Sequence, residues 1–256
     1  MTKTPQNRAQ KRQSMTSKND NVIVCWCDNG TTDGKFTEGL IYSVLTSDVP
    51  IRSAMRVQGN QIGRQRQNAF DFWYDHTDFN WILWVDSDIV LTEQALSAVW
   101  NECDPTTKPV VTGTYFVSKE NEQALMTPFP ALFNFTDDPY KLAYVHPLPV
   151  NVLAKVGAAG FGFLFMHRNA ATKMREKYGS VPFFNETGVG EQFVSEDINF
   201  FRFMKEADVP LYAHTGATVQ HMKRFSYDKA FYDMFWAAQK QQEEDRLQEL
   251  ADLDDE

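Results

Sequence analysis

The sequence predicts an α/β protein built on a mainly parallel sheet flanked by helices. Three observations lead there. Short apolar runs alternate with amphipathic stretches through the first half of the chain, the order that produces parallel strands joined by crossover helices. One run, Trp81–Val85 (WILWV), is apolar at every position, as a central strand covered on both faces must be. Hydrophobic residues make up 43% of the 256, enough for a well-buried core in one substantial domain.

Each element has its own signal. Asn21–Asp28 (NVIVCWCD) reads as a buried strand, followed by the polar loop Asn29–Gly34. Phe36–Leu45 has the spacing of an amphipathic helix and stops before Asp48-Val49-Pro50. Ile51–Val57 is a second strand, broken by Gly59-Asn60. From Gln61 to Tyr74, the apolar residues Ile62, Ala69, Phe70 and Trp73 recur at near-helical spacing. After Trp81–Val85, Thr92 suits a helix N-cap with Glu93 in the first turn, and that helix runs to about Trp100. Val110–Phe116 is a further strand. The stretch 118–150, with its prolines and aromatics, reads as loops with short strands. Val156–Met166 contains Gly157, Gly160 and Gly162 and leads into a helix over Asn169–Lys177. Phe183–Phe193 is a glycine-bearing loop, and a helix begins at Ser195 or Glu196 and ends near Ala207. Pro210–Ala213 and Ala217–His221 read as short strands, and the chain from Tyr227 is mostly helical and turns acidic. The expected organisation is a disordered basic tail over 1–20, one domain over 21–226, and a C-terminal helix with an acidic tail over 227–256.

Composition excludes several classes. A net charge of −9 argues against a uniformly basic nucleic-acid surface. The charge is uneven: Lys3, Arg8, Lys11, Arg12 and Lys18 face one acid, Asp20, in the first twenty residues, while the last fourteen hold eight acids and Arg246. Both ends read as solvated tails, with a basic arm touching a polyanion as the sharper alternative for the first. Three cysteines, with Cys25 and Cys27 too poorly placed for a mutual disulfide and no C-x-x-C pair, suggest a reducing compartment and no zinc site. The N-terminus lacks the apolar core of a secretory signal, and no stretch approaches a membrane span, so a soluble, cytoplasmic protein is expected. Aromatics at 14%, with twenty Phe and six Trp, imply either a dense core or a flat-walled pocket.

Four segments carry chemistry. Asp86-Ser87-Asp88 follows the apolar strand. At the carboxyl edge of an α/β sheet, where ligands bind, two carboxylates suit a hard divalent cation that shares its shell with phosphates. Asp-x-Asp is also common where a strand becomes a loop. Arg64-Gln65-Arg66-Gln67-Asn68 enters a helix on which Arg64 and Asn68 share a face, suited to phosphate or a nucleotide ring, or simply to solvent. The glycines of Gly157–Phe165 permit close backbone approach to a ligand, or mark a bulged strand. Ser195-Glu196-Asp197-Ile198 could place a general base at a helix start or merely complement its dipole, and His221 follows as a metal ligand or a structural histidine.

In this order (R-x-R-x-N, an apolar strand with D-S-D-I, T-G-x-Y-x-x-x-K, G-x-G-F, S-E-D-I, V-x-H) the chain resembles nucleotide-sugar-dependent glycosyltransferases of the GT-A fold, family-2-like. It is nearest in flavour to the small single-domain versions of phages and bacteria. The resemblance covers roughly 21–222. It implies a GT-A type Rossmann-like sheet and a cytoplasmic location, the host's if the protein is viral. It also implies a divalent cation, Mn²⁺ or Mg²⁺, and a nucleoside-diphosphate sugar donor, with a UDP-sugar favoured. Residue by residue, it puts Asp86, Asp88 and His221 in the metal shell, with Asp86 also near the donor's ribose and Ser87 between them. Asp28 and the loop to Gly34 flank the nucleotide, Arg64 and Asn68 reach it, and Gly160 lies against the donor. Asp197, beside Glu196, matches the acidic pair near the acceptor and is the general base if the sugar is inverted. Lys119 occupies a position where such proteins often carry a Lys. The loop 183–193 would close over the donor. The first strand ends in Cys27-Asp28-Asn29-Gly30 where many relatives carry a Pro or a hydroxyl-rich turn, and the arginine segment lacks a contiguous Arg-Asn. Two other classes fit the sheet: a nucleotidyltransferase, for which Asn29–Lys35 is a weak phosphate loop, and a non-catalytic nucleotide-sugar-binding module. The acceptor (glycan, protein or modified DNA base), the stereochemical outcome and the oligomeric state are not written in the sequence.

Overall fold

The structure is a computed structural model, which describes residues 20–119, 127–138, 141–189, 192–223 and 229–254. The basic tail expected over 1–20 lies outside the described residues except for Asp20.

The strands are β1 (Val22–Asp28), β2 (Ile51–Gln58), β3 (Trp81–Val85), β4 (Ile89–Val90), β5 (Val110–Thr114), β6 (Phe116–Lys119), β7 (Thr127–Pro130), β8 (Leu132–Phe135), β9 (Leu142–Tyr144), β10 (Leu153–Val156), β11 (Ala158–Ala159), β12 (Phe163–His167), β13 (Thr187–Val189), β14 (Gln192–Val194), β15 (Leu211–Thr218) and β16 (Gln220–His221). The helices are α1 (Gly34–Thr46), α2 (Ile62–His76), α3 (Glu93–Glu102), α4 (Arg168–Tyr178), α5 (Glu196–Glu206) and α6 (Lys229–Asp254).

Seven strands form one mixed, mainly parallel sheet in the order β10-β15-β5-β12-β3-β1-β2. β2, β1, β3, β5 and β15 run one way, and β12 and β10 run against them. Every residue of β3 is buried, because helices cover both faces of the sheet there. On one face Ile23, Cys25, Ile82, Trp84, Leu164 and Met166 pack with apolar residues of α2, α4 and α5. On the other, Val22, Val24, Leu83, Val85, Phe163 and Phe165 pack with α1 and α3. The alternation along each strand is the two-residue period of the pleat. β2 closes one edge with a strict half-buried alternation, as an edge strand should.

Local chemistry sets the helix starts. Asp33 caps α1 by accepting from Lys35 N, and Thr92 Oγ1 accepts from Ala95 N at 3.2 Å at the start of α3. The aromatics go mostly into the core: Trp73, Trp81, Trp84, Phe161, Phe163 and Phe200 are among the largest fully buried side chains. The three cysteines are free thiols. Three expectations change. Pro210–Ala213 and Ala217–His221 are parts of the longer strand β15 and of β16, because β5 pairs with β15 across a register shift between Ala213 and Thr218. The glycine-bearing stretch 156–166, read as a segment of close backbone approach or a bulged strand, is split into the end of β10, β11 and β12, since β11 leaves the main sheet to pair with β8. The expected loop 183–193 holds the antiparallel pair β13–β14.

By backbone contacts, residues 119–127 and 223–256 form a unit separate from the rest. Within it, α6 carries an exposed ring contact between Tyr232 and Trp236. Among the described residues no helix is long and apolar enough to cross a membrane.

Candidate active site

The carboxyl edge of the sheet gathers the acidic residues that the sequence singles out. Asp28 ends β1, and Asp86 follows β3 directly. Because β12 runs the other way, its start lies at the same edge, where Asp86 N donates to Gly162 O at 3.2 Å. Asp86 to Ile89 form a tight turn closed by Ile89 N donating to Asp86 O at 3.0 Å. Ser87 lies partly exposed within that turn.

The turn presents Asp88 to His221. β4 pairs with β16 so that Ile89 faces His221, and Met222 N donates to Asp88 O at 2.7 Å. Two residues 133 positions apart are thereby brought together, with His221 Nε2 3.2 Å from Asp88 Oδ2. The other ring nitrogen, Nδ1, lies 2.9 Å from Phe116 O. A carbonyl oxygen only accepts, so Nδ1 donates to Phe116 O, and Nε2 is the ring nitrogen turned to the Asp88 carboxylate. The Tyr115 ring stands edge-on to the imidazole, with centroids 5.2 Å apart, and helps hold its plane.

Asp86 does not join that pair. Its Oδ1 accepts from Arg66 Nη2 at 2.8 Å, and Arg66 Nη1 reaches Glu196 Oε1 at 2.7 Å. Among the described residues no group of three or more His, Cys, Asp or Glu side chains is arranged to hold a metal. Of the three residues expected in the metal shell, Asp88 and His221 lie together, and Asp86 is held by the buried guanidinium of Arg66 through Oδ1. A carboxylate and an imidazole could together hold a divalent cation, with the carboxylate suited to Mg²⁺ or Mn²⁺ and the imidazole the less usual partner for a hard ion.

Arg66 is the residue that sequence reading passed over. It lies within the quoted R-x-R-x-N segment, but Arg64 and Asn68 are the exposed positions and Arg66 is 6% exposed. The signal was present in the helix phase: Arg66, Ala69, Phe70 and Trp73 fall at i, i+3, i+4 and i+7, one buried stripe. Burial opposes the charge on Arg66, but the carboxylates of Asp86, Asp197 and Glu196 outweigh it and hold the guanidinium above its ordinary range. Phe161 lies under the same guanidinium, 5.1 Å from ring centroid to Cζ.

Glu196 opens α5 and is buried. Burial lifts its carboxyl above the usual value, and Arg66 pulls the other way. Expected beside Asp197 near the acceptor, Glu196 is engaged through Oε1 by Arg66 Nη1. Asp197 is partly exposed, and its Oδ1 accepts from Ser195 Oγ and from Ile198 N.

Two expected donor contacts have other occupations. The Asp28 side chain is fully buried and accepts from Arg56 Nε and Nη2 at 2.6 and 2.7 Å, Gly30 N at 2.7 Å and Trp26 Nε1 at 3.2 Å. The Arg56 bond holds its carboxyl below the usual range. Asp28, expected to flank the nucleotide, thus has its carboxylate engaged by the loop and by β2. Gly160 is buried, and a Cβ there would stand 1.9 Å from Tyr115 Oη. The missing side chain makes room for Tyr115, whose hydroxyl lies 3.2 Å from Gly162 N. Of the loop expected to close over the donor, Phe183 and Phe184 are buried and pinned by Gln67 Oε1, which accepts from both backbone nitrogens. Its positions 190–191 lie outside the described residues. Lys119 ends β6. A cavity of about 640 Å³ opens at the opposite edge, beside the start of β15, lined by Phe135, Lys155, Lys205 and Tyr212 among others. It contains none of the residues above.

No family model matches the chain, and no curated protein matches it. Among solved structures, A197 from STIV overlays with a TM-score of 0.50 at 18% identity, covering 80% of this chain and 86% of that one. GalNAc-T7 with UDP, GalNAc and Mn²⁺ overlays at 0.47 and 8% identity, covering 81% of this chain and 44% of that one. CMP:2-keto-3-deoxy-manno-octonic acid synthetase complexed with CTP overlays at 0.41 and 10% identity, covering 87% and 99%. At such identity the first likeness speaks to the α/β fold alone, and the two weaker overlays carry no argument.

Proposed function

We propose that the chain is a metal-dependent glycosyltransferase of the GT-A type, moving a sugar from a nucleoside-diphosphate sugar to an acceptor hydroxyl. One observation carries the reading: Asp88 Oδ2 and His221 Nε2 meet at 3.2 Å at the carboxyl edge of the sheet, with the imidazole tautomer set by Phe116 O. The order of motifs in the sequence supports it independently.

In this reading Asp88 and His221 hold Mn²⁺ or Mg²⁺. When bound, that ion neutralises the diphosphate leaving group as a Lewis acid. The chain's own residues do the rest. The β4–β16 ladder keeps the two ligands in register before any ligand arrives, so less ordering is needed on binding. Arg66 neutralises Asp86 and Glu196 in part, and the remaining negative charge of Asp88 and Asp197 favours a cation in the cleft. Asp197, at the open start of α5, is the base that takes the acceptor proton, an effect worth about 10²–10⁴-fold. The exposed Arg64 and Asn68, on the outer side of α2, reach the nucleotide.

The test is Mn²⁺ binding by electron paramagnetic resonance, together with turnover of a panel of UDP- and GDP-sugars. Asp88→Asn is expected to weaken Mn²⁺ binding and lower turnover at least about a hundredfold while the fold survives. Full turnover in that variant rejects the reading. Release of pyrophosphate in place of nucleoside diphosphate would assign a nucleotidyltransferase instead.

A further inference from the structure

Arg66 connects two parts of the fold that the sequence separates widely. Its guanidinium is 7% exposed and spans Asp86, which precedes the Asp88 turn, and Glu196, which precedes Asp197 on α5. The contact with Glu196 bridges 130 positions of sequence. The backbone behind each carboxylate is itself fixed. Asp86 N is bonded to Gly162 O, and Asn199 N of α5 donates to Ser195 O while its side chain donates to Asn185 O at 2.6 Å. α2 is held in turn by Gln65, two bonds of which reach Asp28 O and Val57 O at 2.9 and 2.7 Å, and by Phe161 beneath the guanidinium. A planar fork can grip two carboxylates at once in one fixed geometry, which a single ammonium point cannot do.

We infer that Arg66 is a positioning residue of the transfer site. It sets the Asp88 turn at the end of β3 at a fixed separation from the start of α5 that carries Asp197, and it reserves Glu196 for that strut. The inference rests on the glycosyltransferase reading. Arg66 is 7% exposed and acts through the two carboxylates it binds. Its effect is alignment: when it is lost, the cation still binds but the two halves of the site no longer meet in reacting geometry. Displacements of about 1 Å of this kind can cost about a hundredfold in rate.

The experiment compares the parent with Arg66→Lys, which keeps the charge and loses the fork. A second variant, Arg66→Met combined with Glu196→Gln, removes a charge from each side so that less buried charge is left uncompensated. Three quantities are read on each folded protein: Mn²⁺ affinity by electron paramagnetic resonance, KM for the UDP- or GDP-sugar that the parent turns over, and kcat. Arg66→Lys is expected to keep Mn²⁺ affinity and KM within about threefold and to lose about 10–100-fold in kcat. The double variant is expected to do the same. Unchanged kcat in either folded variant overturns the inference. So does a parallel fall of Mn²⁺ affinity and kcat that tracks the folded fraction, the mark of a purely structural arginine. A parent that binds no Mn²⁺ and turns over no sugar nucleotide sinks the glycosyltransferase reading itself, and this inference with it. A parent that does both, with an Arg66→Lys variant that matches it, sinks only the positioning role.

Discussion

Asp28 and Asp88 both follow apolar runs at the carboxyl edge of one sheet, on the neighbouring strands β1 and β3, yet they meet opposite fates. Asp28 is fully buried and its oxygens are filled by Arg56, Gly30 and Trp26. The Asp88 side chain is 36% exposed and faces the Nε2 edge of an imidazole whose other nitrogen is held by Phe116 O. The same residue type at the same kind of place serves structure in one case and a candidate ligand pair in the other. What decides is the neighbouring chain: β2 supplies an arginine beside Asp28, whereas β16 supplies a histidine beside Asp88.

Substitutions at and around these positions press on that contrast. The largest separation is expected between Asp88→Asn and Asp28→Asn. The first should remove at least about a hundredfold of metal-dependent turnover with little change in melting temperature. The second should cost about 1–3 kcal/mol of stability, since the buried donors of Trp26 and Gly30 lose their charged acceptor, and should leave Mn²⁺ affinity close to parental. Equal effects of both on Mn²⁺ binding would erase the distinction. Next comes Gly160→Ala. The added methyl would collide with Tyr115 Oη, and overpacking of this kind costs about 1–3 kcal/mol in denaturant unfolding. Adding Tyr115→Phe should recover part of the loss, and no recovery would mean that Gly160 serves something other than Tyr115.

His167 provides a titration removed from the site. Burial, with Arg168 nearby, pushes its pKa down to about 4, so the folded state keeps the ring neutral where the unfolded chain would protonate it. Between the unfolded value near 6.5 and the folded value, the unfolded state binds more protons, and stability falls as pH falls. The loss should reach about 2 kcal/mol between pH 7 and pH 5. His167→Asn, which can still cap α4, should flatten that slope, and an unchanged slope would assign it to other groups. The smallest effect is expected from Arg64→Ala: within about 0.5 kcal/mol in stability, because Arg64 is exposed, with any change confined to nucleotide affinity.

Arg64 and Arg66 show where sequence reading succeeded and where it stopped. The helix was legible from Ala69, Phe70 and Trp73, and the same phase places Arg66 on the buried stripe. A buried arginine, though, is credible only once its partners are known, and Glu196 lies 130 positions away. The Asp88–His221 meeting was expected from the motif order, but the pairing of β4 with β16 that brings it about involves only two residues on each side. Gly160 shows the same limit from the other side. A glycine-rich segment looks ready for a ligand, and only the neighbouring strand reveals that a tyrosine already fills the space.

The chain by itself determined the alternation of elements, the buried central strand Trp81–Val85 and the cap at Thr92. These follow from periodicity, propensity and local hydrogen bonding, all of which act over a few residues. Tertiary structure alone decided that β12 runs against its neighbours, that Asp86 belongs to Arg66, that Asp28 is sealed by Arg56, and that Asp88 meets His221. Those outcomes depend on which distant strand or helix supplies the countercharge, and an ion pair or hydrogen bond across 20 to 133 positions leaves no periodic trace in the sequence.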